Sequence, residues 1–92
     1  MKKMIIFGAG NFGKRALSFY GKNDVFCFVD NNIAKVGQYI EGKKIISFVD
    51  MLKISSEYKI IIATARNIEI KKQLDENGIS DYVCYTPSYE HL

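Results

Sequence analysis

Ninety-two residues suffice for one small domain, and 48% hydrophobic content lets it pack a core. Thirteen basic against ten acidic side chains leave a net charge of +3, and the longest basic runs are pairs. That balance argues against a disordered chain and against a nucleic-acid-binding stripe, and no apolar run is long enough to span a membrane.

The chain opens on Met1-Lys2-Lys3, and the apolar run that follows stops at Gly8. That is too short for a signal peptide, so a cytoplasmic protein is expected. Met4-Ile5-Ile6-Phe7 is apolar on both faces, the mark of a strand in a parallel sheet covered by helices. Phe12, Ala16, Phe19 and Tyr20 then recur at helical spacing, and Gly21 stops the helix. Val25-Phe26-Cys27-Phe28-Val29 is a second buried strand, ended by Asp30.

Gln38-Tyr39-Ile40 and Lys43-Lys44-Ile45-Ile46 flank Glu41-Gly42 and read as a small hairpin. Ser47-x-x-Asp50 is a variant capping signal before a short helix with apolar Phe48, Val49, Met51 and Leu52. Lys59 to Thr64 is the third buried strand. Asn67 caps the next helix, with apolar positions Ile68, Ile70 and Leu74, and Gly78 closes it. Tyr82 to Tyr85 is the last strand, ended by Pro87. The pattern predicts an open, doubly wound parallel sheet of about four strands, in the order 2-1-3-4, with right-handed crossovers.

Cys27 and Cys84 form no Cys-x-x-Cys pair, and each sits in a strand-like run, so both are expected as small buried hydrophobes. His91 is the sole histidine, and no metal site is expected. Tyr39-x-x-x-Lys43 has the spacing of a dehydrogenase pair, but Gly42 and the hairpin pattern keep the two off one helical face. Tyr85 and Tyr89 lie near the chain end and are expected to cover an edge or a partner surface.

Chemistry concentrates at Gly8-x-Gly10-x-x-Gly13, which follows a strand and opens a helix within a β-α-β unit. Gly8 allows a tight turn, Gly10 lets the backbone approach a phosphate, and Gly13 lets the helix press on the strand. The helix start adds unpaired N–H groups and the positive end of its dipole, with Asn11 and Phe12 in its first turn. Asp30 ends the second strand, where a carboxylate accepts from ribose hydroxyls. The bland alternative is that the glycines serve packing alone. One mononucleotide half and part of a second leave a nicotinamide without an obvious home in this chain.

The stretch from Ile5 to Phe48 resembles the N-terminal nucleotide-sugar-binding domain of bacterial sugar acetyltransferases of the left-handed β-helix type. It is also similar to the C-terminal domain of sugar C-methyltransferases and to domains of other glycan-biosynthesis enzymes. The shared features are the three glycines, Asp30-Asn31-Asn32, Lys35-x-Gly37 and Gly42. The resemblance implies a Rossmann-like domain over residues 1–92, as part of a longer enzyme, that binds a uridine- or thymidine-diphosphate sugar. The acetyltransferases' catalytic histidine lies on the β-helix domain, so no catalytic residue carries over. The chain alone is expected to bind without turnover, as the recognition module of a sugar-modifying transferase in polysaccharide biosynthesis. The alternative is an NAD(H)-binding oxidoreductase or sensor domain.

A uracil or thymine edge matches an amide, so Asn31 or Asn32 either reads the base or shapes the turn. Lys35 either neutralises a phosphate or is solvated. Thr64 and Arg66 follow the third strand, at the carboxyl edge where open α/β sheets bind ligands, and Arg66 suits a diphosphate. The expected partners are a nucleotide sugar and a catalytic domain or chain, with homo-oligomerisation left open.

Overall fold

The computed structural model describes residues 2–87. The expectations on Tyr89 and His91 fall outside them. The first apolar run forms strand β1 (Lys3–Phe7), and the glycine loop leads into helix α1 (Asn11–Tyr20). Strand β2 (Val25–Val29) pairs parallel to β1. The hairpin is β3 (Tyr39–Ile40) and β4 (Lys43–Ile46), joined by Glu41 at φ 48° and Gly42 at φ 81°. Two consecutive left-handed residues are what a two-residue type I′ turn requires. Short helix α2 (Phe48–Leu52) follows, then β5 (Tyr58–Ile62), α3 (Asn67–Glu76) and β6 (Tyr82–Cys84).

The sheet order is β3-β4-β2-β1-β5-β6, so the four predicted strands run 2-1-3-4 as expected. The sheet has six strands, not about four. The hairpin is no mere insertion: β4 pairs parallel to β2 through Phe28 with Ile45 and Val29 with Ile46. Among the described strands, only β3 is antiparallel. Strands β2 and β5 flank β1, so the connections depart in opposite directions from β1, a switch point in the topology.

Alternate residues feed two cores. Ile6, Phe28 and Ile61 pack with Ala16 and Leu17 of α1, while Ile5, Val29 and Ile62 pack with Met51 of α2 and with Ile70 and Leu74 of α3. Each fully buried side chain of this size contributes about 1.5–3 kcal/mol over its exposed state. The isoleucines therefore anchor the strands on which the loops are mounted.

Several expectations change at this level. The register of β1 against β2 shifts between Met4 and Ile5, skipping Phe26, which turns out to solvent and stacks on Tyr58 at 4.9 Å. Phe19 is half exposed, and Ile68 is 79% exposed on the outer side of α3 rather than in the core. Asn67 is not a cap: Arg66 holds that position without a side-chain bond. Ser47 does cap α2, its hydroxyl accepting the Asp50 N–H at 3.1 Å. Tyr85 is a core residue, 1% exposed, its ring 6.2 Å from that of Tyr20. Cys27 is buried as expected, and burial pushes its thiol up to about 11. No described helix is long and apolar enough to cross a membrane.

Candidate functional site

The carboxyl ends of β1, β2 and β5 meet at the switch point. The Gly8 N–H donates to the Val29 carbonyl at 2.8 Å, and the Ala63 N–H donates to the Phe7 carbonyl at 2.9 Å. The loop after β1 is thus stitched between its neighbours. A side chain at Gly8 would meet the Ala63 carbonyl, and φ there is 125°. A side chain at Gly13 would drive into the Gly8 carbonyl. Both glycines are packing glycines, and Gly13 lines no recess at the loop.

Gly10 is different. It sits before α1 with extended dihedrals that any residue adopts. Among the described residues, a Cβ added there would meet only Lys35 Nζ, at 3.8 Å. The space over Gly10 is therefore open, next to the first turn of a helix that has neither a side-chain cap nor an acidic residue in that turn. Lys35, half-buried, brings its Nζ to 3.5 Å from the Ala9 carbonyl. Unpaired helix N–H groups, an open glycine and an ammonium in one place suit an anion.

Asp30 faces inward to the loop. The Ala9 N–H donates to its Oδ2 at 2.9 Å, and the Asn32 N–H donates to its Oδ1 at 2.7 Å. Each carboxylate oxygen keeps a second acceptor site for a ligand hydroxyl. The asparagines shape the turn. Asn32 Oδ1 accepts the Ala34 N–H at 3.1 Å. Asn31 forms a reciprocal amide pair with Gln73 of α3, 2.8 Å one way and 3.2 Å the other. Gln73 carries no local motif, and no spacing in the sequence pointed to it.

Two adjoining recesses result. One, about 250 Å³, lies over the loop and is lined by Gly8, Gly10, Asn11, Phe12, Asp30, Lys35 and Thr64 among others. The second, about 330 Å³, lies towards α3 and includes Gly8, Asp30, Asn31, Asn32, Thr64 and Arg66, with Glu69 and Ile70. Of the predicted site residues, then, all but Gly13 line one recess or both. The Arg66 N–H is held by Thr64 Oγ1 at 3.3 Å. Tyr39 and Lys43 lie on opposite strands of the hairpin, where Ile40 faces Lys43, so the dehydrogenase-like spacing is coincidental.

No curated protein matches the chain significantly. Among solved structures, UDP-D-quinovosamine 4-dehydrogenase from Vibrio fischeri superposes with a TM-score of 0.69 at 19% identity, over 92% of this chain and 78% of that one. RSP, a Rex-family repressor, superposes at 0.68 with 21% identity, over 95% and 46%. RSP in complex with beta-NADH gives 0.68 and 20% identity, over 95% and 47%. The chain spans about half the length of that repressor. At these identities the likeness is one of fold, a Rossmann-like α/β sheet. The family model for the C2185-like N-terminal domain matches residues 1–84, and the chain belongs to that family.

Proposed function

We propose that this domain binds a nucleoside diphosphate through the loop Gly8–Gly13, as the recognition module of a larger sugar-modifying enzyme. The observation that carries the reading is the open space over Gly10, beside an uncapped helix start and the Lys35 ammonium. In this reading the diphosphate lies over Gly10 against Asn11 and Phe12. A ribose hydroxyl donates to Asp30, and the base enters the recess between the Asp30–Asn32 turn and Arg66. A nucleotide sugar is the ligand favoured by the resemblance of the glycine loop and Asp30-Asn31-Asn32. Reading a base edge with Asn31 requires Gln73 to release it. The family's description as an N-terminal domain is in keeping with a role within a longer chain.

The second reading is NAD(H). It is favoured by the fold shared with a repressor known in complex with beta-NADH. Titration observed on the backbone amides separates the two. UDP-N-acetylglucosamine moving the amides of Gly8 to Gly13 supports the first reading. NADH moving them instead supports the second, and silence with both leaves an α/β domain without a nucleotide. The chain alone is expected to bind without turnover. Product from a UDP-4-amino-sugar with acetyl-CoA, above a no-protein control, overturns that expectation.

A further inference from the structure

A third recess, about 560 Å³, opens between the start of α1 and the β3–β4 hairpin. It shares Ala9, Gly10, Asn11 and Lys35 with the recess over the loop, so the two adjoin. On the nucleotide reading, on which this inference rests, the direction of a ligand is set by Asp30. Asp30 lines both the α3-side recess and the loop recess, so the ribose belongs at their border. The diphosphate then crosses Gly10, and whatever it carries beyond enters the third recess.

The chemistry of that recess is specific. Lys14 and Lys35 both line it, together with Gln38 and the ring of Tyr39, which is 64% exposed. Among the described residues, no acidic side chain lines it. Glu41, in the adjoining turn, is engaged by Lys22 at 3.1 Å. Surface lysines are ordinarily solvated; here two of them share a concave wall on which the described residues place no carboxylate, beside the exposed Tyr39. A flat ring suits the apolar face of a sugar, and ammonium groups suit a carboxylate on it.

We propose that the α1–hairpin recess is a subsite for an acidic sugar, a hexuronate-type group joined to the diphosphate, with Lys14 and Tyr39 setting the preference. The test is calorimetric titration of the whole chain with UDP, UDP-glucose, UDP-glucuronate and NADH. UDP-glucuronate is expected to bind roughly tenfold tighter than UDP-glucose, the size of one hydrogen bond to a charged group. Lys14→Gln is expected to erase that preference while affinity for UDP holds, and Tyr39→Ala to weaken both sugar nucleotides but not UDP. UDP binding with equal affinity for the two sugar nucleotides overturns the subsite and leaves the nucleotide reading standing. So does a preference that survives Lys14→Gln. Failure of UDP to bind at all overturns both, as does binding of NADH alone.

Discussion

The carboxylate of Asp30 takes the backbone N–H of Ala9 at 2.9 Å, across 21 residues of sequence. The end of β2 therefore holds the glycine loop in shape before any ligand arrives. Asp30→Ala strands that N–H and the Asn32 N–H together. The expected cost is about 1–3 kcal/mol of stability, with a further loss of nucleotide affinity in the same range. Urea denaturation and calorimetry read the two separately. An unchanged midpoint removes the latch, and an unchanged affinity removes the ribose contact.

The glycines divide into two steric classes, for which opposite phenotypes are expected. Gly10→Val is expected to keep the melting temperature and abolish nucleotide binding, because its side chain would fill the space proposed for the diphosphate and, among the described residues, its Cβ touches only Lys35. Gly13→Ala is expected to destabilise by at least the roughly 1–3 kcal/mol typical of overpacking, because its Cβ meets backbone of the preceding turn. Thermal melts of the two variants, run beside a binding assay, check the contrast. Normal binding by Gly10→Val disqualifies the loop as the phosphate site.

The amide pair of Asn31 and Gln73 ties the turn after β2 to α3. A double-mutant cycle with Asn31→Ala and Gln73→Ala is expected to return a coupling of about 0.5–1.5 kcal/mol. Additive single effects show that the pair is not formed in solution.

Cys27 gives a pH signature. Burial raises its thiol from 9.0 to about 11 in the fold, while in the unfolded chain it ionises at its ordinary value. Between those values only the unfolded state gives up the proton. The contribution is therefore present below pH 9 and is lost as pH rises towards 11. Stability of the parent is expected to fall over that window more steeply than that of Cys27→Ala, by denaturant midpoints at each pH. Parallel curves dismiss the effect.

Most of the fold was legible because Ile5–Ile6–Phe7 and Ile60–Ile61–Ile62 are buried on both faces, which writes an uninterrupted apolar run into the sequence. The part that was not legible depends on distant pairings. Strand β3 is two residues long, and β4 joins the sheet through Phe28 and Val29, which no local pattern around Ile45 announces. Phe26 reads as core until the register shift beside β1 turns it outward. At the site, spacing together with the strand before it, the helix after it and the end of the second strand marked Gly8, Gly10, Gly13 and Asp30. Gln73 was invisible, because a glutamine on a helix looks the same whether it meets solvent or Asn31.

The stitching of the loop also makes the site a joint product of the three central strands. Gly8 is held by the Val29 carbonyl on one side and backed by Ala63 on the other, so the cradle exists only once β2 and β5 have both docked on β1. A peptide spanning the first strand and helix alone has the motif but not the cradle. On the proposed nucleotide reading, a ligand that binds only this assembled state raises its free energy of unfolding by mass action as its concentration exceeds the dissociation constant. Amide hydrogen exchange is the place to see it. On that reading, slowing is expected to spread into the central strands as well as the glycine loop, which would make ligand affinity a gauge of cooperative folding.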